Sequence, residues 1–264
     1  MTVQITCKFE ALVKSTKLVK NRGYKFLLFT LSLMIFGFVP SERIEKLSLD
    51  LSVRTLFQGK SVSATGTVYY KINGGLMVTK MHTPIDQVNI ANATGEYRSF
   101  DVKTNSVTLM QGIDFSSKNS FIYSFLSGQT NDMGLSGLGY RITDTKIEEG
   151  IVVNTFSPPK NRQVLAEKVE VAYENYLPIF LGFFDAEGKP IQKTYYTNYQ
   201  NVSFVKMPFT ITEIDFITDQ DSSITRRTYS NLLLNSKVNN EWLDFSIPEN
   251  ATILTPQNLN QISK

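Results

Sequence analysis

From Leu47 to Val53 apolar and polar residues alternate without interruption. Successive side chains on a strand point to opposite faces, so the run predicts a β-strand with one wet face. Gln58-Gly59-Lys60 is a turn signal, and Ser61 to Lys71 follows as a partner strand. Asn73-Gly74 marks a tight turn before a strand over 76–83, which Pro84 ends. Strands over 86–91 and 96–102 flank the hairpin loop Asn92-Ala-Thr-Gly95, and 106–111 repeats the pattern. Short strands at near-regular spacing predict a mainly β sandwich or barrel and argue against a βαβ protein.

The period changes between Asp114 and Gly128. Phe121/Phe125 and Ile122/Leu126 stand four apart, with Asp and Ser available as an N-cap and Gly128 as a stop, so a short helix with a greasy face is predicted. Gly134, Gly137 and Gly139 then predict a mobile loop. Strands resume over 140–143, 151–156, 167–173, 176–184, 191–199, 209–217, 223–231 and 242–247. Composition shows no interior break, so residues 41–264 read as one domain.

Residues 1–40 stand apart. The uncharged run Phe26 to Val39 follows Lys17, Lys20, Arg22 and Lys25, the basic and apolar regions of a secretory signal. Its 14 residues fall short of the about 20 that a bilayer span needs, so export with removal is expected rather than a permanent anchor. The long stretch before it suggests a start near Leu18, with cleavage between Phe38 and Ser41. Residues 1–40 hold six of the 27 basic residues and one of the 24 acidic, leaving 21 against 23 and a net charge of about −2. A chain with that balance lacks the excess of Lys and Arg that nucleic acid binding needs. Cys7 precedes the apolar run, so the exported chain has no thiol, no disulfide and no Cys for lipid anchoring.

Little in the remainder points to catalysis. His82 is the one histidine, no G-x-S-x-G elbow surrounds a serine, and neither G-x-G-x-x-G at a strand–helix junction nor G-x-x-x-x-G-K-[ST] is present. Glu148/Glu149, Asp185/Glu187 and Asp219/Asp221 sit in predicted turns, where solvated carboxylates are ordinary. No metal, no cofactor and no enzymatic activity are expected; a hydrolase built on His82 is the weakest alternative.

What stands out is apolar surface. Leu177-Pro-Ile-Phe-Leu-Gly-Phe-Phe184 is apolar at both alternating sets, so one face serves the core and the other needs a cover. A curved sheet closed by the 121–126 segment would enclose a cavity, a common ligand site in β-barrels. Its walls are expected from Val68, Tyr70, Phe121, Ile122, Phe125, Leu126, Ile179, Phe180, Phe183 and Phe184, with Met110 and Met133 as pliant additions. An ordinary packed core is the alternative.

The order of these elements resembles the LolA-like lipoprotein-sorting family. The resemblance rests on Gly66-Thr-Val-Tyr-Tyr-Lys71, a tight turn, Leu76 to Met81, Pro84, and the hairpin leading into Glu96-Tyr-Arg-Ser-Phe-Asp-Val102. The hairpin at Asp185-Ala-Glu-Gly188 and Phe245-Ser-Ile-Pro-Glu-Asn-Ala-Thr-Ile253 extend it over about 47–254. It implies a half-open antiparallel β-barrel with a short helical lid. It also implies a periplasmic, non-enzymatic carrier of lipoprotein acyl chains or other lipid, working between membrane-bound donor and acceptor proteins. Ile72 stands where carriers of the best-known type place a lid-binding Arg, with Arg98 and Arg141 as the candidates to replace it. The alternative function is a structural or interaction module of the cell envelope with the same fold around a packed core.

Overall fold

The computed structural model describes residues 43–160, 166–218 and 220–254; the apolar segment at 26–39 lies outside them. Among the described residues, alternation and turns resolve into fourteen strands: β1 Lys46–Phe57, β2 Lys60–Lys71, β3 Leu76–Thr83, β4 Gln87–Ala91, β5 Glu96–Asp101, β6 Ser106–Gln111, β7 Arg141–Glu148, β8 Ile151–Ser157, β9 Lys168–Glu174, β10 Leu177–Phe184, β11 Pro190–Val202, β12 Val205–Phe216, β13 Ser222–Leu234 and β14 Thr252–Leu254. They form one open sheet in the order β14-β6-β5-β4-β3-β2-β1-β13-β12-β11-β10-β9-β8-β7. Neighbours are antiparallel apart from β14, which runs parallel to β6. The joint between the two halves is β1 against β13, paired from Leu47↔Leu234 to Phe57↔Ser223. No described helix is long and apolar enough to cross a membrane.

Strand alternation feeds two separate cores. Leu47, Leu49, Val68, Tyr70, Phe156, Val169, Val171, Met207 and Phe209 point to one face, where Ile122 and Phe125 close over them. We call this the inner face. On the outer face of β3–β6, Val78, Val88, Phe100 and Val107 are covered by Trp242, Phe245, Ile247 and Ala251. Strand β3 serves both, Met77 and Thr79 inward and Val78 and Lys80 outward, as a period of two requires.

Three expectations change. The helix predicted over 114–128 is broken into turns at Ile113–Phe115 and Ser117–Asn119 and one short helix, α1, Phe121–Leu126. Ser116 and Ser120 are responsible. Each has extended backbone, and each side chain accepts a hydrogen bond from a following backbone N–H, of Lys118 and Tyr123 respectively. Ser competes in this way for donors that a continuous helix would use. Residues 242–247 are not a strand. They cross the outer face as an irregular strap, Trp242 stacked on Phe245 at 5.4 Å and Phe245 on Phe100 at 6.1 Å. The glycine-rich loop is anchored: Leu135 is buried, and Asp132 accepts hydrogen bonds from the Gly134 and Ser136 amides at 3.0 and 3.1 Å.

Candidate functional site

Between the Asn119–Ile122 segment and the inner face lies a cavity of about 500 Å³. That is within the range of about 300–1,000 Å³ typical of small-molecule sites. Leu51, Val68, Met77, Leu181, Phe183, Tyr196, Ile211 and Tyr229 line its floor and walls, and Phe121 and Ile122 its roof. Seven central strands contribute, because residues directly opposite in an antiparallel ladder share a face: Leu51 faces Tyr229, Leu181 faces Thr194, Thr194 faces Glu213.

The roof is held from two sides. Before α1, Ser117 Oγ donates to the Gly75 carbonyl at 2.5 Å and Ser116 Oγ to the Ala93 carbonyl at 3.0 Å, pinning the segment to the two hairpin turns. Within α1, Phe121 stacks on Tyr229 at 4.6 Å, and Phe125 meets Tyr196 and Tyr199 at 6.0 and 6.1 Å. The space under Phe125 is therefore filled, while that under Phe121 is open.

One end of the cavity is polar. Arg227 approaches Glu213 at 3.5 Å, with both side chains part-buried, and Gln192 donates to Asp215 at 2.6 Å. Burial pushes the Tyr229 phenol up to about 12, the nearby Arg227 pulling the other way. Tyr196 is raised further, by burial first and then by the Glu213 carboxylate. Both rings thus remain neutral hydrogen-bonding groups at any physiological pH.

Of the ten residues expected at the walls, Val68, Phe121, Ile122 and Phe183 line the cavity. Tyr70 and Phe125 belong to the adjoining core, with Leu126 packed against it. Phe180 and Phe184 face the other way, their rings lying over Gly182, where an added Cβ would meet them at 2.6 and 2.9 Å. Ile179 sits at a bulge between Pro178 and Phe180 and is half-buried. Met133 packs on the core, Met110 is exposed, and Met77 is the methionine of the cavity. Leu51, Ile211 and Tyr229 were not singled out by sequence reasoning; their inward parity was the available signal. Ile72 lines a separate hollow with Arg43–Glu45, and its amide donates to the Glu45 carbonyl at 2.9 Å. Arg98 pairs with Glu96 at 3.8 Å, and Arg141 is exposed at the start of β7.

His82 is exposed, with Nε2 3.1 Å from Thr67 Oγ1. Asp50 contacts that same hydroxyl at 3.2 Å. The carboxylate is thus on the hydroxyl instead of the imidazole, and a triad needs the reverse order. Of the carboxylate pairs, Asp185 caps its own turn by accepting from the Lys189 amide at 2.7 Å, Glu148 and Glu149 are exposed, and Asp219 lies outside the described residues.

No protein-family model matches the sequence, and no curated protein does. Solved structures match in fold. A DUF1329 family protein from Desulfovibrio piger aligns over 77% of this chain and 91% of that one, with 13% identity and a TM-score of 0.54. A domain named for outer membrane lipoprotein sorting, from Vibrio parahaemolyticus, aligns over 76% and 90% with 11% identity and a TM-score of 0.53. A LolA superfamily protein from Nitrosomonas europaea aligns over 76% and 91%, with 14% identity and a TM-score of 0.49. The chain shares the fold of the Desulfovibrio and Vibrio proteins.

Proposed function

We propose that the protein binds the hydrocarbon chain of a lipid or lipidated protein under the Phe121 half of α1, as a periplasmic, non-enzymatic carrier. The observation that carries this reading is the cavity itself, a hollow of about 500 Å³, apolar over most of its walls and polar at one end, bounded by a roof that rests on side chains. Hydrocarbon needs no directional partner. Burial contributes about 0.8 kcal/mol per methylene, and adaptable contacts allow release as readily as capture. The segment 1–40 would direct export and be removed near Phe38 to Ser41, and donor and acceptor proteins in the two membranes would load and unload the cargo.

Displacement of a fluorescent fatty-acid probe by saturated fatty acids of increasing length tests the reading. Affinity should rise about tenfold for each two added carbons, then level off when the hollow is full. Leu51→Trp, which fills the floor, should abolish displacement while the circular dichroism spectrum is kept. Absence of probe uptake by the delipidated protein would overturn the reading. The filled half beneath Phe125 favours the second possibility, an envelope interaction module; mass spectrometry of native material, free of co-purifying lipid, would be its signature.

A further inference from the structure

The outer face of β1 and β9–β13, on the side away from the cavity, alternates rings and aliphatic groups with cations. Gly182, Lys193, Ile214, Ile224 and Leu56 follow one another as direct neighbours across five strands. The adjacent row runs Phe180, Tyr195, Thr212, Arg226 and Arg54. Phe180 stacks on Tyr195 at 5.3 Å, Lys168 lies over the Phe184 ring at 4.3 Å, and Lys193 lies 5.6 Å from the Phe216 ring. Tyr195 and Leu56 are 37% and 43% exposed, so apolar area faces solvent between the charges. The strap over Val78 and Phe100 covers a different part of the sheet.

Charge decides what such a face suits. Arg54, Lys168, Lys193 and Arg226 stand against Glu170, which Lys168 holds at 3.1 Å, and Glu174, which shares that parity at the hairpin end of β9. The next acid along the face, Asp50, is engaged by Thr67 and Asn231 at 3.2 and 2.6 Å. A second copy laid face to face would oppose cation to cation. An anionic bilayer surface is complementary instead: phosphates accept from the cations, Lys and Arg stems lie along apolar surface, and amphipathic rings such as Tyr195 sit at headgroup depth. We propose that this outer face docks the protein on a leaflet containing anionic phospholipid, independently of what occupies the cavity.

Tyr195→Trp in the full chain supplies a local reporter, since the native Trp242 belongs to the strap and the cavity opens on the opposite face. Vesicles of phosphatidylcholine with phosphatidylglycerol should shift its emission to the blue, and high salt should reverse the shift. Vesicles of phosphatidylcholine alone should leave it unchanged. Adding Lys193→Gln and Arg226→Gln to the reporter protein should weaken the vesicle interaction about thirtyfold, from the typical gain per cation near such a surface. The segment before Ser41 is common to all proteins compared and cannot produce that difference. An equal shift with both vesicle types, no shift with either, an unaltered affinity in the cation variant, or a vesicle-independent shift that grows with protein concentration would each overturn the proposal.

Discussion

Ser117 shows how one hydroxyl controls the roof. It is 1% exposed, and its Oγ is the partner of the Gly75 carbonyl. Removing it leaves that carbonyl short of a donor, a loss of about 1–3 kcal/mol for a buried group. Ser117→Ala should therefore lower the unfolding free energy by that margin, read as a lower urea midpoint, and bound probe should dissociate faster because α1 is released at its N-terminal end. Gly75 works from the other side: its φ is +61°, and a Cβ there would meet Ala93 Cβ at 2.9 Å and Ser117 Oγ at 3.0 Å. Tyr229 gives a pH-dependent prediction. Its phenol loses a proton near 10 when unfolded and near 12 when folded, so an unfolded chain binds fewer protons between those values. Stability from this group is whole below pH ~10 and falls as pH rises toward ~12. Tyr173, Tyr196 and Tyr199, also raised mainly by burial, act in the same direction. Urea titrations below and about one pH unit above ~10 should show the loss, and Tyr229→Phe should lessen it by about 1.4 kcal/mol.

Helix α1 is too short to persist alone, since isolated helices below about 12 residues are marginal in water. Its place depends on two rings with different duties. Phe125 is 3% exposed and wedged against Tyr196 and Tyr199, so Phe125→Ala should cost about 3–5 kcal/mol and be read as a lower thermal midpoint. Phe121 is half-buried at the cavity roof, so Phe121→Ala should cost less and move the fatty-acid plateau to longer chains. The two effects separate anchoring from binding. The strands were legible from sequence because a one-sided core enforces alternation, and tight turns such as Asn73-Gly74 and Asn92–Gly95 fix where each ends. The roof was less so: Phe121 and Phe125 gave a helical spacing, but Ser116 and Ser120 recruit nearby amides locally and cut it. Leu243, Phe245 and Ile247 alternate as a strand would, although Trp242, Phe245 and Ile247 serve to cover a second core, a tertiary need that no local period encodes. At β10 a run apolar at both parities left the inward set undetermined, so Phe180 and Phe184 were grouped with Phe183.

On the scale of the whole molecule, a sheet left open must protect its ends. Leu51 and Tyr229 meet only because β1 pairs with a strand more than 160 residues later, and that long-range joint builds the cavity floor from segments whose sequences say nothing of each other. The cost of not closing into a barrel falls on the edges, whose unpaired backbone groups invite another strand. β14, at one edge, is only three residues long. β7, at the other, is eight residues long, exposed throughout and, among the described residues, paired only with β8; Ile142 and Ile147 are 54% and 72% exposed. Its protection lies in charge: Arg141, Asp144, Lys146 and Glu148 are spaced along it. Copies pairing edge to edge would have to crowd and desolvate these groups. Replacing the central two, Asp144→Val with Lys146→Val, leaves Ile142 and Ile147 in place and raises strand propensity on the same edge. The double variant should keep the native monomer's spectrum at low concentration but associate as concentration rises, seen as growing sedimentation coefficients and thioflavin-positive material on warming. If it stays monomeric at concentrations where the native protein does, the charges on β7 are not what keeps the open sheet from extending.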